Sequence, residues 1–317
     1  DTGDAAGVAV DADHVVTFHD TKPGLAALDT PVTVADIGIP AAAERFVGPG
    51  DLGTPGRAAE SHKGDHGELL VVGGGPYTGA PALAAQAALR AGADLVHIAC
   101  PASVADRIQG YSENLIVHPF EGDRLAPPAV DALVDLAAGM DAVICGPGLG
   151  SHDETLAAVE DFLSAADGRV VVDADALSVV PAVDTDATLV CTPHQGELLK
   201  MGGETADDRE TRAELVAEFA TDLGHTLLVK GADDVISDGA DTRISRTGNP
   251  GMTVGGTGDV LAGVVGALLV GREPRAAAAV GAYVNGRAGD LAFEAAGNGL
   301  VATDLIDWLP EAFADDE

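Results

Sequence analysis

The chain has 317 residues, enough for one large α/β domain or two smaller ones, and its composition is globular, rich in Ala, Val, Leu and Gly. Its 17 Lys and Arg stand against 51 Asp and Glu, a formal charge of −34, which argues against nucleic acid or anionic membranes as partners because both require basic patches. The acids are scattered, Arg outnumbers Lys, and only Ala314–Glu317 resembles an acidic tail, so the charge reads as a solvated surface suited to a halophilic cytoplasm.

From Asp1 to about Leu52 the chain offers two short β-like runs, His14–Phe18 and Val32–Ile37, with Lys22-Pro23-Gly24 between them. So few strands cannot bury a core alone. Val47–Arg57, rich in Gly and Pro, reads as a linker. From Lys63 strands alternate with helices: a strand at Glu68–Val72, a helix at Pro81–Ala91, then strands at Asp94–Ala99, Leu115–His118, Asp141–Cys145, Val170–Val172, Ala187–Cys191 and Thr226–Val229. Asp234–Ser237 and Thr242–Ser245 form an expected hairpin about Asp238-Gly239. This alternation predicts an α/β fold with a mostly parallel central sheet and helices on both faces, its functional loops at the carboxyl ends of the strands. Cys100, Cys145 and Cys191 each end an apolar run and read as buried free thiols. No signal peptide opens the sequence and no apolar stretch has the length and freedom from glycine of a membrane span, so a cytoplasmic protein is expected.

The chemistry concentrates in Thr247–Gly271, where Gly248, Gly251, Gly255, Gly256 and Gly258 precede an apolar run, Val260–Val270. A helix N-terminus after such a loop presents free N–H groups and the positive end of the helix dipole to phosphate. Asp259 would be out of place beside an anion unless it takes a proton from a hydroxyl nucleophile; a plain N-terminal cap is the bland alternative. Gly73–Ala80 is a second glycine loop between strand and helix, lacking both G-x-G-x-x-G spacing and a Walker lysine. Gly146–Gly150 holds three glycines after a strand, more than one turn needs, which assigns Gly148 and Gly150 to ligand contact. Asp173 and Asp175 end a strand together. A turn and cap explain Asp175, while Asp173 stays open between that and orienting Mg²⁺-bound water or a ribose. Glu197 caps the next helix in a box with Thr192, or touches a cation through water.

The stretch Asn249-Pro250-Gly251-Met252 through Gly255-Gly256-Thr257-Gly258-Asp259-Val260-Leu261-Ala262-Gly263 resembles the signature of the NAD(P)H-hydrate dehydratases, in the ribokinase-like superfamily. Further likeness lies in Tyr77–Leu83, Thr192-Pro193-His194 with Gly196-Glu197, Lys230-Gly231-Ala232, Asn285–Asp290 and Gly299–Leu305, covering about Lys63 to Pro310. The resemblance implies a ribokinase-like fold and ADP-dependent dehydration of NADHX and NADPHX with Mg²⁺. It implies Asp259 as the general base, and Ala80, Gly148, Gly150, His194 and Asp259 as substrate contacts. Lys230, Gly231, Ala232, Asp233, Asp234, Gly256, Thr257 and Gly258 would hold ADP or AMP, with no metal ligand directly assigned. A homo-oligomer of four or more subunits would fit the family. The alternatives are a ribokinase-like kinase of hydroxymethylpyrimidine or hydroxyethylthiazole, and a non-catalytic nucleotide-binding module. The N-terminal segment, with Asp1-Thr2-Gly3, Val16-Thr17-Phe18 and Val34–Pro40, resembles the closing part of an NAD(P)H-hydrate epimerase domain. The expected division is therefore an epimerase remnant with linker at 1–52 and a dehydratase domain at 53–317, the chain being a piece of a bifunctional protein.

Overall fold

The computed structural model describes residues 10, 12–22, 24–25, 28, 30–53 and 60–314. The chain divides into two compact units, Asp1–Arg45 and Phe46–Glu317. In the first, β1 (Val15–Phe18) pairs in parallel with β2 (Val32–Ala35), Val15 opposite Val32, and α1 (Ala41–Arg45) follows. Lys22 closes the turn after β1 by donating to the carbonyls of Phe18 (3.1 Å) and Asp20 (2.9 Å). Both expected runs are strands; Asp1-Thr2-Gly3, Pro23 and the last residues of the acidic tail lie outside the described residues.

The second unit begins at Phe46, ahead of the expected boundary at residue 52. Val47 donates to the carbonyl of Ile244 at 2.9 Å, Arg243 Nη2 meets Asp51 Oδ2 at 2.9 Å, and Arg272 donates to the carbonyls of Asp51, Leu52 and Gly53. Residues 46–53, read as linker from their glycines and prolines, are thus bound to this unit, and 54–59 lie outside the described residues. Beyond them run β3 (Glu68–Val72), α2 (Gly79–Arg90), β4 (Leu95–Pro101), α3 (Ala102–Gln109), β5 (Ile116–Phe120), α4 (Val130–Ala137) and β6 (Ala142–Cys145). Then follow α5 (Asp153–Ala165), β7 (Arg169–Val172), β8 (Thr188–Cys191), α6 (Gln195–Lys200), α7 (Arg209–Leu223) and β9 (Thr226–Val229). The chain ends with the hairpin β10 (Asp234–Ser237) and β11 (Thr242–Ser245), then α8 (Thr257–Leu269), α9 (Pro274–Ala296) and α10 (Ala302–Ala312).

The nine-stranded sheet has the order β11-β10-β9-β8-β7-β6-β3-β4-β5. Pairing is parallel from β5 to β9 and antiparallel at β9–β10 and β10–β11. Successive strand residues enter two cores: Leu69 and Val71 pack with α2, α8, α9 and α10, while Leu70 and Val72 pack with α4, α5 and α7. Burial on both faces explains why the strands read as continuous apolar runs. Cys100, Cys145 and Cys191 lie in these cores as free thiols, and burial pushes their pKa to about 11, 12 and 12, leaving them inert packing groups. Among the described residues no helix is long and apolar enough to cross a membrane.

Candidate active site

Strand order reverses between β3 and β6, where the crevice outside the carboxyl ends of a parallel sheet takes ligands. The loops after these two strands lock together there: Gly74 N donates to Pro147 O at 2.9 Å and Gly146 N to Val72 O at 3.1 Å. Gly148 has φ +76, and a methyl group on it would overlap the carbonyl oxygen of Tyr77. A methyl on Gly150 would press on Pro76. Close packing against the Tyr77 backbone and the Pro76 ring is therefore a reason for glycine at 148 and 150 that does not depend on a ligand. Gly150 still lines a cavity of about 350 Å³ beside the loop, while Gly148 lies buried beneath. Ala80 stands in the first turn of α2, after Thr78, whose hydroxyl is 3.1 Å from that of Tyr111.

Three neighbouring strand ends converge on one cation. After β7, Asp173 is buried, and Ala174 behind it holds φ +56, an uncommon left-handed conformation for alanine that marks a constrained turn. After β8, Thr192 Oγ1 donates to Asp173 Oδ1 at 2.7 Å. After β9, Lys230 N donates to Pro193 O at 2.8 Å, and its Nζ donates to Asp173 Oδ1 at 3.0 Å and lies 3.8 Å from Glu197 Oε2. Burial pushes the Lys230 ammonium down, but Asp173, Glu197 and Asp259 more than offset it, so its pKa is raised and it stays charged. Asp173 stands at the N-cap of the 3₁₀ helix Ala174–Ala182 without a side-chain cap bond, and its carboxylate is the counter-ion that orients Lys230. His194, exposed, is the N-cap of α6: its Nδ1 accepts from Glu197 N at 3.1 Å, and Glu197 Oε2 accepts from His194 N at 2.8 Å. The capping box expected from Thr192 closes on His194 instead, because Thr192 is turned into the sheet toward Asp173.

The fourth component is the start of α8. Gly256 is its N-cap in a left-handed conformation (φ +99) that alanine would strain, and no side chain caps the first turn. Thr257 Oγ1 donates backwards to the carbonyls of Met252 (3.0 Å) and Val254 (3.2 Å), leaving the turn's N–H groups to an anion. A methyl on Gly258 would stand 3.3 Å from Lys230 Nζ, so the ammonium and the helix N-terminus face the same point. Asp259 is in that turn. Burial, then the nearby Asp173, push its pKa up to about 7 against the opposing pull of Lys230, the range in which a carboxylate accepts and releases protons at neutral pH.

Lys230, Gly231, Ala232, Asp234, Thr257 and Gly258 all line one cavity of about 390 Å³. Asp234 accepts from Gly231 N at 2.9 Å, and burial pushes its pKa up to about 7. Two residues expected there are not in its wall: Asp233, which pairs with Arg209 at 3.2 Å, and Gly256, the N-cap that immediately precedes the lining residues Thr257 and Gly258. The cavity also takes in Thr247–Pro250, Met252 and the α9 pair Asn285-Gly286, none of which was assigned a binding role from sequence. Asp290 ties these elements together, accepting from Gly248 N (3.0 Å) and Asn249 Nδ2 (2.9 Å). The Asn285–Asp290 motif was visible as a likeness; what it braces was not.

This arrangement has known counterparts. Residues 69–311 match the NAD(P)H-hydrate dehydratase family. The bifunctional NAD(P)H-hydrate repair enzyme of Pyrobaculum aerophilum is 45% identical over 322 residues, covering 98% of this chain and 64% of its own length. The chain thus spans a little under two thirds of that relative. Among solved structures, the ADP/ATP-dependent NAD(P)H-hydrate dehydratase from Bacillus subtilis, co-crystallised with ATP/Mg²⁺, superposes with TM-score 0.75 at 29% identity, over 85% of this chain and 97% of that one. A ribokinase-like superfamily protein from Enterococcus faecalis gives TM-score 0.73 at 22% identity, over 85% and 95%. The fold is ribokinase-like, and the chain belongs to the NAD(P)H-hydrate dehydratase family.

Proposed function

We propose that this chain converts (S)-NADHX and (S)-NADPHX to NADH and NADPH with ADP as phosphoryl donor. The observation that carries this reading is Asp259, a carboxylate with pKa about 7 in an uncapped helical turn that faces the Lys230 ammonium. Asp259 takes the proton of the hydrate's hydroxyl, and that oxygen attacks the terminal phosphorus of ADP. The bond to the bridging oxygen breaks and AMP leaves. The phosphate ester then departs as inorganic phosphate, with loss of a ring proton, and the dihydronicotinamide double bond returns. Lys230 and the amides of Thr257 and Gly258 stabilise charge on the transferred group. Ala80, Gly150 and His194 bound the substrate side, Gly148 supporting them from beneath.

Among the described residues no group of three His, Cys, Asp or Glu is set to hold a metal. Asp173 is already bound to Lys230, which fits a Mg²⁺ carried on phosphate oxygens and water with Glu197 reaching it through water. When bound, that ion would neutralise phosphate charge. Purified protein incubated with NADHX, Mg²⁺ and either ADP or ATP should restore the NADH absorbance with ADP. Turnover of hydroxymethylpyrimidine or hydroxyethylthiazole in place of NADHX would favour the kinase alternative.

Three further parts of the proposal rest on resemblance and composition. The Asp1–Arg45 unit, with its parallel strand pair, is the closing part of an epimerase domain, preceding the dehydratase domain. The enzyme assembles as a homo-oligomer of four or more subunits, which light scattering would measure. Its charge of −34 suits a haloarchaeal cytoplasm. The Debye length falls from about 10 Å in 0.1 M salt to about 3 Å at 1 M, so carboxylate repulsion that persists in dilute buffer is screened in concentrated salt. The thermal midpoint should rise steadily into multimolar KCl; a flat or falling curve would refute the halophile reading.

A further inference from the structure

Sheet hydrogen bonding runs on past the strand ends where the Lys230 ammonium is held. Thr192 N donates to Val172 O at 3.0 Å and Lys230 N to Pro193 O at 2.8 Å, so the residues after β7, β8 and β9 stay in line. Val172 pairs with Cys191, and one step on Asp173 stands opposite Thr192. Opposed side chains on one face are close enough to bond. The Thr192 hydroxyl donates to Asp173 Oδ1 at 2.7 Å, and Lys230 Nζ donates to the same oxygen at 3.0 Å. The two donors are not alike. Lys230 ends a flexible four-carbon stem, and Glu197, at 3.8 Å, is too distant to fix it. Thr192 has no exposed surface, and its branched Cβ restricts χ1. Its other acceptor, the carbonyl of Val172, is at 3.4 Å, so the hydroxyl is committed to Asp173. The threonine thus fixes Oδ1, and Oδ1 fixes the ammonium. That place is the uncapped first turn of α8, since a methyl on Gly258 would stand 3.3 Å from Nζ.

We infer that Thr192 is a positioning residue for phosphoryl transfer, its hydroxyl acting through Asp173 to hold the Lys230 ammonium where the transferred group gathers charge. This rests on the reading of the α8 turn as the phosphoryl-transfer site. Phosphate arriving there competes with Asp173 for the ammonium. An anchored carboxylate shares the lysine without changing its direction, whereas one free to turn carries the ammonium away from the turn. Stabilisation of developing charge requires donors already in place, so a displaced ammonium is felt in the transition state.

Thr192→Val keeps the branched shape and loses the hydroxyl; Thr192→Ser keeps the hydroxyl. The test is turnover of NADHX with ADP by the full chain, with kcat expressed per site that binds ADP in calorimetric titration. Thr192→Val should lower kcat by about tenfold or more, the scale of one hydrogen bond to a charged group, while KM for NADHX changes little. Thr192→Ser should recover most of the loss. A purely structural threonine would alter the melting temperature and the number of competent sites, not kcat per site. In a Lys230→Met background Thr192→Val should cost nothing further, because its effect passes through the ammonium. Full kcat per site in Thr192→Val, a serine variant as slow as the valine one, or an undiminished loss in the Lys230→Met background would each overturn the assignment. If the valine variant fails to fold, Thr192→Cys, with its weak thiol donor, takes its place against serine under the same criteria. No turnover of NADHX by wild type would overturn the reading of the site itself, and the role of Thr192 with it.

Discussion

Asp259→Asn should lower kcat by about 10²–10⁴-fold while ADP binding changes little, because the amide keeps the shape of the carboxylate but cannot accept the hydroxyl proton. Wild-type kcat/KM should climb with pH and level off above about 7, since the base acts only when ionised and burial and Asp173 hold its pKa there. The same shift has a stability consequence of opposite direction. The folded pKa lies above the value of 3.8 from which it is raised, so the contribution of this group to folding is full below about pH 4 and is lost as pH rises through 7. The substituted amide carries no charge to desolvate. The variant should therefore melt higher than wild type at pH 8, and the gap should close toward pH 4. Unchanged kcat would remove Asp259 as the base; a variant that melts lower at pH 8 would remove the buried-charge account while leaving the kinetic one.

Gly263→Ala should lower the melting temperature by several degrees and reduce activity, although helix propensity alone favours alanine by about 1 kcal/mol. Gly263 is in α8, one turn beyond Asp259, and a methyl there would overlap the carbonyl oxygen of Ala84 and stand 2.9 Å from the Cβ of Ala87. Neither is the movable end of a long side chain, so α2 and α8 must separate, at a cost of typically about 1–3 kcal/mol for overpacking. Because α2 carries Ala80 and α8 carries Asp259, the displacement reaches both sides of the substrate site. Gly271→Ala is the control: it lies just past the same helix with no atom within 4 Å of an added methyl. If Gly263→Ala proved as stable as that control, the close contact of the two helices would be wrong.

The central strands β3, β4, β6, β7, β8 and β9 were legible because both of their faces are buried. Glu68–Val72, Thr226–Val229, Asp234–Ser237 and Thr242–Ser245 occur with the bounds read from sequence. Helix starts were less so: α8 begins at Thr257 rather than Val260, since its first turn is glycine and polar residues that carry no apolar period. Of the site, Lys230 and His194 could be singled out by type and position at strand ends, and Asp259 by the glycine loop that precedes its helix. Asp173 could not be resolved, because its role depends on β7 and β9 lying two strands apart, a fact of sheet order. The same holds for Asn285, which in sequence is one polar residue in an alanine-rich helix and enters the cavity wall only through the packing of α9 along α8.

The Arg272 clamp on the carbonyls of residues 51–53 is one instance of a wider allocation of positive charge. Arg169 Nη1 donates to the carbonyls of Leu269, Val270 and Arg272 at the far end of α8, Arg212 Nη2 to that of Asp233, and Lys230 is turned in upon Asp173. A guanidinium bound to a carbonyl oxygen is not cancelling a surface carboxylate. With 17 basic residues against 51 acidic ones, most surface carboxylates have no basic partner and take their countercharge from dissolved cation. For the α8 hairpin the reverse holds: its closing contacts are short, partly buried and out of reach of the ion atmosphere. Lowering the ionic strength should therefore loosen the periphery before the cavity at the start of α8, and hydrogen exchange would register the two in that order.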